Sequence, residues 1–411
     1  MKRRDFLLSP AASLPLFVPA RVFGTNDRVR VGFIGLGGRA RWLIQHEEFT
    51  GAGIAALADC FLPRCYEASK LHPDGEKWAK YPDYRQMLDK EKLDAVFVET
   101  TTHARVLICI HALQAGLDVY GEKPLTLTVE EGRVLANAVR RYNRVLQTGT
   151  QQRSIPINVY ASKLVREGAI GKVHTVVACN FLPPGAWDPK PAQPLPEGLD
   201  WDQWCNQTEL RPYHQDLRTK WALYRDYDGG GQSWGVTGWG THSLDQVQCA
   251  LGTDDTGPVE IWPEEPGGQC RVAMRYASRT LLKLEGPQRD HADLGAIFIG
   301  DKGRIEIKRG SVIADPPELL KDAPEGTTEG PGENRFHIAN FIECVRSRRK
   351  PNAHEEVGHR STTVCHLVNI CRDLGRRLRW DPRAERFEGD EEANRLLSRP
   401  RRKGYELPSL S

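Results

Sequence analysis

The sequence predicts an α/β protein in two parts: a doubly wound parallel sheet over residues 27–150, then an α/β region with a mostly antiparallel sheet over 151–411. Three observations predict it. Apolar runs alternate with helical stretches throughout the first part. A glycine-rich turn joins the first apolar run to the first helical stretch. Period-two strands separated by turn residues dominate from about residue 258 onward.

Ahead of these elements, Arg3-Arg4-Asp5-Phe6-Leu7 and a short apolar stretch through Ala20 resemble a twin-arginine export signal. Residues 1–25 are therefore set apart from the fold, and the expected location is the periplasm, with the cytoplasm as the alternative. That route carries folded proteins, so a ligand bound in the cytoplasm could travel inside its protein.

The first strand, VRVGFI at 29–34, runs into Gly35-Leu36-Gly37-Gly38-Arg39-Ala40 and then a helical stretch through Phe49. This is G-x-G-x-x-A between a strand and a helix. Gly35 allows the tight turn, Gly37 lets backbone approach a pyrophosphate, and Ala40 keeps the helix close to the sheet. The next strand, GIAALAD, ends in Asp59, where a carboxylate takes ribose hydroxyls and repels a 2′-phosphate, which favours NAD over NADP. The alternation continues with a helix near 63–71, strand 94–100, helix 103–115, strand 117–121, helix 128–141 and strand 145–149. The expected cofactor-binding set is Gly35, Gly37, Gly38, Arg39, Ala40, Asp59, Thr100, Glu122 and Lys123. Lys123 follows a strand at the carboxyl end of the sheet, where partial burial would equip it to accept a hydroxyl proton.

Residues 181–239 are rich in Pro, Gly and aromatics, which excludes regular helix or strand and suits a structured functional loop. Flat aromatic faces match the C–H faces of sugar rings, with Arg211, His214, Arg218 and Lys220 as polar partners. The candidate substrate contacts are Arg153, Tyr213, His214, Trp239 and Asp245. Strands at PVEIW, CRVAMRYAS, RTLLKLEG, LGAIFIG and GRIEIKRG follow, with AIFIGDKGRIEI as a hairpin, and helices are expected at about 334–348 and 357–378.

Composition narrows the function classes. A net charge of +3 from 57 basic and 54 acidic residues offers no nucleic-acid surface, and no apolar run reaches membrane-spanning length. The ten cysteines mostly occupy apolar segments without metal-ligand spacing, so they read as buried hydrophobes, and no metal site is expected.

The ordered set GLGGRA, GEKPLT, TGTQQRS and GTHSLDQ resembles the glucose–fructose oxidoreductase/inositol dehydrogenase (Gfo/Idh/MocA) family, and more narrowly a twin-arginine-exported branch of it. The resemblance implies an N-terminal Rossmann domain and a C-terminal α/β domain on a large, mostly antiparallel open sheet. A sugar or cyclitol would lie between them, in a homo-oligomer (dimer or tetramer). It makes Lys123 the catalytic lysine of an E-K-P motif and His242 the histidine of a D-x-G-x-H motif. Two departures stand out: Gly238 occupies the place of that motif's aspartate, and Arg105 occupies the place of a usual histidine.

The expected function is hydride transfer between a carbohydrate and tightly held NAD, with Lys123 and His242 as the acid–base pair. Tight retention matters because an exported enzyme cannot draw on cytoplasmic NAD. The alternatives are a redox-neutral NAD-dependent glycosidase working by oxidation, elimination, hydration and reduction, and a non-catalytic NAD- or sugar-binding protein.

Overall fold

The computed structural model describes residues 27–285, 294–326 and 334–409. The expected export segment at 1–25 lies outside the described residues.

Six strands form the first sheet: β1 (Val29–Ile34), β2 (Ala52–Ala58), β3 (Ala79–Tyr81), β4 (Ala95–Val98), β5 (Asp118–Gly121) and β6 (Leu146–Thr148). They pair in the order β3-β2-β1-β4-β5-β6, every pair parallel. Strand order reverses between β1 and β4, so a crevice opens at their carboxyl ends where ligands bind in such sheets. The central strands are apolar because helices cover both faces. Helix Gly38–His46 follows β1, and helices Thr102–Gln114 and Val129–Tyr142 follow β4 and β5. On the face that carries helix Gly38–His46, Phe33 stacks on Phe97, and Phe97 on Tyr120, each at 4.8 Å.

That aromatic stack is closed by helix Arg335–Ser347, which comes from the second half of the chain. Its Ile338, Phe341, Ile342 and Val345 share one core with Val31, Phe33 and Leu43. The two halves are thereby joined by apolar packing as well as by chain connection.

The second sheet has nine strands: β7 (Val173–Cys179), β8 (Pro258–Pro263), β9 (Val272–Tyr276), β10 (Leu281–Glu285), β11 (Ala296–Gly300), β12 (Gly303–Lys308), β13 (Ser311–Asp315), β14 (Leu378–Asp381) and β15 (Arg386–Phe387). Their order is β13-β12-β11-β7-β10-β9-β8-β14-β15, antiparallel apart from the β7–β10 pair. The expected hairpin is β11–β12, closing at Gly300↔Gly303. Helices Pro156–Arg166, Trp239–Leu251 and Glu355–Leu374 cover one face of the sheet.

Two of the differences from the sequence reading concern segments it had assigned. The helix expected at 357–378 spans Glu355–Leu374 and stops where Gly375 takes a left-handed φ of 60°. Leu378 and Trp380 then alternate inward as β14. The 181–239 segment is mostly irregular, yet it contains two one-turn helices, Trp201–Cys205 and Gln215–Thr219.

Candidate active site

The β1 turn is built for close approach. Gly35 has φ 87°, and a Cβ there would lie 2.8 Å from the Thr100 backbone nitrogen. A Cβ at Gly37 or Gly38 would meet nothing within 4 Å, so both face open space at the start of helix Gly38–His46. Asp59, at the end of β2, accepts from Leu36 N at 2.6 Å and from Phe61 N at 2.8 Å. Its carboxylate thus fixes the turn from which phosphates would be bound. Burial pushes the Asp59 carboxyl up, against the pull of Arg64 and those two amides. Arg39 donates to Glu122 at 2.7 Å and to Asn334 at 2.9 Å, and Ala40 is fully buried. Glu122 also accepts from the backbone N–H of Lys123 at 2.8 Å.

A cavity of about 290 Å³ is lined by Gly35, Gly37, Gly38, Arg39, Asp59 and Thr100, whereas Ala40, Glu122 and Lys123 of the expected set lie outside its lining. The buried Thr100 hydroxyl has no hydrogen-bond partner there. Open glycine faces, an acid at the end of β2 and an unsatisfied hydroxyl fit a dinucleotide. The roof comes from the aromatic segment, through Gln203, Trp204, Arg218 and Trp221. Asp200 N donates to Cys60 O at 2.7 Å and Leu62 N to Gly198 O at 3.1 Å. His103 donates its ring Nε2–H to Trp204 O at 2.8 Å and its backbone N–H to Tyr227 O at 3.2 Å. The segment is therefore tied to the loops after both β2 and β4.

Lys123 and His242 come together at the junction of the two sheets. Lys123 Nζ donates to Gly238 O at 3.1 Å, one residue before the helix that carries His242. Burial lowers the Lys123 pKa; Glu122 and Asp228 raise it, while Arg39 and Arg309 lower it further. Burial, then the Lys123 charge, holds His242 well below the usual imidazole value, so it is neutral at pH 7. Its buried Nδ1 has no hydrogen-bond partner among the described residues. A half-buried ammonium beside a neutral imidazole can bracket a hydroxyl group.

The expected substrate contacts are placed differently. Arg153 binds both carboxylate oxygens of Asp245, at 2.8 and 2.9 Å, and also Asp254 at 2.8 Å. Asp245 further accepts from Ser361 at 2.6 Å, so Arg153 and Asp245 are spent on each other and on their neighbours. Tyr213 is buried edge-on to Trp201, and His214 caps helix Gln215–Thr219 by accepting from Asp216 N at 3.1 Å. Neither lines the cavity. Trp239 packs on Trp234 at 4.5 Å, at the start of the His242 helix. Arg211 pairs with Asp226 and Lys220 with Asp216, while Arg218 lines the cavity at the β1 turn.

Two carboxylates escaped the sequence reading. Glu99 ends the β4 run within the cavity lining, and neither of its buried oxygens has a hydrogen-bond partner among the described residues. Burial, reinforced by Glu122, pushes its pKa well up. Asp228 is fully buried and accepts from Thr102 at 2.5 Å and from Thr237. The signals available were an acid closing an apolar strand (DAVFVET) and an acid abutting three glycines (YDGGG).

Comparison with known proteins bears on the family and the fold. Residues 29–150 match the family model described as "Oxidoreductase family, NAD-binding Rossmann fold", and residues 162–407 match "Oxidoreductase family, C-terminal alpha/beta domain". Levoglucosan dehydrogenase of Pseudarthrobacter phenanthrenivorans is 34% identical over 91 residues, 22% of this chain and 23% of that protein. The scyllo-inositol 2-dehydrogenase (NAD(+)) of Bacillus subtilis is 27% identical over 149 residues, 36% of this chain and 43% of that protein. The chain thus spans less than half the length of these curated relatives. Among solved structures, aldose-aldose oxidoreductase from Caulobacter crescentus, complexed with glycerol, superposes with a TM-score of 0.61 at 20% identity, over 86% of this chain and 100% of the other. The WlbA dehydrogenase from Bordetella pertussis, in complex with NADH and UDP-GlcNAcA, gives 0.62 at 15% identity, over 86% and 99%. At these identities the structures establish the shared fold. With both of its parts matched by the family's two models, the chain belongs to the Gfo/Idh/MocA oxidoreductase family.

Proposed function

We propose that this protein is an NAD-dependent oxidoreductase that acts on a CH–OH group of a carbohydrate, a cyclitol or a glycoside. The observation that carries the reading is the approach of Lys123 to the helix of the neutral His242, with Lys123 tied through Glu122 to Arg39 of the G-x-G-x-x-A turn. Relatives named as levoglucosan and inositol dehydrogenases support the substrate class.

Lys123 Nζ, with its pKa lowered chiefly by burial, takes the hydroxyl proton of the substrate. His242, neutral and with Nδ1 unsatisfied, holds the same oxygen or relays its proton. The carbon-bound hydrogen leaves as hydride and the hydroxyl becomes a carbonyl, which balances the step. When bound, the nicotinamide supplies the hydride acceptor. Asp59 would favour NAD, since a 2′-phosphate would meet its carboxylate.

The roof formed by Trp204, Arg218 and Trp221 supports tight retention of the cofactor. Retention in turn fits an exported enzyme that returns each hydride within its own cycle. We extend the proposal to a homo-oligomer, for which light scattering at micromolar concentration is the check. The activity test incubates the protein with NAD and a panel of aldoses, inositols and glycosides, following both absorbance at 340 nm and product release. NADH formation, or redox-balanced conversion of paired sugars, supports the oxidoreductase. Aglycone release without net NADH identifies the glycosidase instead. No conversion of any kind, with NAD bound, removes the catalytic reading.

A further inference from the structure

In this chain the usual place for a carboxylate next to the lysine is closed. Residue 238 is glycine, and a Cβ there would fall on the carbonyl oxygen of Gln232 and within 2.9 Å of the Gly231 carbonyl oxygen. The glycine-rich loop therefore occupies the volume an aspartate side chain would need. That same loop delivers Asp228, which is fully buried and gripped by two hydroxyls, Thr102 Oγ1 at 2.5 Å and Thr237 Oγ1. Thr237 and Gly238 are consecutive: the hydroxyl of the first holds the carboxylate, and the carbonyl of the second holds Lys123 Nζ at 3.1 Å. Thr102 begins the helix after β4 and lies 3.4 Å from Arg105 Nη1, whose guanidinium also donates to Pro124 O, the residue after Lys123. The carboxylate and the ammonium are thus held by adjacent residues, Thr237 and Gly238 on one side and the Thr102–Arg105–Pro124 contacts on the other.

We propose that Asp228 is the positioning carboxylate for Lys123, a buried counter-charge supplied by the glycine-rich loop because position 238 has no room for one. Its chemical meaning rests on the oxidoreductase reading, while the pairing itself can be tested without turnover. Lys123 is acted on by Glu122, Asp228, Arg39 and Arg309, and His242 adjoins it; Asp228 is acted on by Lys123 and Arg105. Asp228 therefore shares the lysine with Glu122, and Glu122 also carries Arg39 at 2.7 Å. Removing the Asp228 charge leaves two guanidiniums acting on the ammonium with one acid fewer to offset them. The proton is then held less tightly.

Trace acetylation of the full chain with acetic anhydride across pH 6–11, read by mass spectrometry of the Lys123 peptide, measures this directly. Exposed Lys163 serves as internal reference. Asp228→Asn should lower the apparent pKa of Lys123 by about 0.5–1 unit, which speeds its labelling about three- to tenfold at pH 7. Thr237→Val leaves the carboxylate in place with one donor fewer, and should shift Lys123 the same way by less. An unchanged Lys123 titration in Asp228→Asn overturns the proposal, whatever happens to thermal stability, because a merely structural role would leave the titration alone. If Asp228→Asn does not fold, the Thr237→Val titration decides, and no shift there overturns it. A shifted titration in a protein that turns over no substrate would sink the enzymatic reading and leave the pairing intact.

Discussion

Two glycines of the same turn should fail in opposite ways when replaced by alanine. Gly35 has φ 87°, and its added Cβ would sit 2.8 Å from Thr100 N and 2.9 Å from Thr100 Cα, both backbone atoms at the end of β4. Left-handed backbone costs a non-glycine residue about 1–2 kcal/mol, and forcing a methyl against backbone adds about 1–3 kcal/mol. Gly35→Ala should therefore destabilise the apo protein by about 2–5 kcal/mol, a Tm fall on the order of 2–6 °C for a chain of this length. Gly37 has φ −68°, and its Cβ would meet nothing within 4 Å. Gly37→Ala should leave apo Tm essentially unchanged, or raise it slightly through unfolded-state entropy. Its methyl instead fills the space a diphosphate needs, and should weaken NAD binding at least tenfold, about 1.4 kcal/mol. Differential scanning fluorimetry with and without NAD, alongside titration calorimetry, reads both effects. Full NAD affinity in Gly37→Ala, or an unperturbed apo Tm in Gly35→Ala, would refute the assignment of this turn.

Other outcomes follow from the same geometry. Lys123→Ala should abolish turnover while NAD binding stays within about twofold, about 0.4 kcal/mol; unchanged turnover would remove the lysine from the chemistry. Arg153→Ala strands the Asp245 carboxylate among apolar neighbours and should cost about 3–5 kcal/mol in denaturant unfolding, whereas a substrate contact alone would raise KM and leave stability intact. Glu385 provides a pH test. Burial opposes its ionisation, but hydrogen bonds from His359 and Arg133 win and bring its pKa from 4.5 down to about 2. A depressed carboxylate stabilises the fold above its unfolded pKa and loses that contribution as pH falls, so stability should drop between pH 4.5 and 2. Glu385→Gln should flatten that part of the profile, and an unaltered slope would show that Glu385 does not carry it.

What was legible in the sequence was local. The turn at 35–40, the acid ending β2 and the strand–helix alternation each declare themselves within a few residues, because backbone geometry and pleat period act at that range. The β11–β12 hairpin was legible for the same reason. Lys123 and His242 could be paired through motif order, although about 120 residues separate them. Long-range choices were not legible. Helix Arg335–Ser347 looks like any amphipathic helix, and nothing in its own residues says that Phe341 packs against Phe97 of the other half. Arg153 and Asp245 read as substrate contacts until the fold brings them together in a buried pair. Asp228 was hidden because its role depends on the volume left at residue 238, which only packing defines. The aromatic segment was read as a structured loop, and its Trp204, Arg218 and Trp221 line the cavity at the β1 turn.

The most direct test of the account is to purify the protein without added cofactor, denature it, and quantify the nicotinamide dinucleotide released per chain, followed by NAD titration of any empty fraction. The account predicts close to one equivalent of NAD, retained beneath the roof formed by Trp204, Arg218 and Trp221. Essentially no released dinucleotide, together with no binding of added NAD, would contradict it.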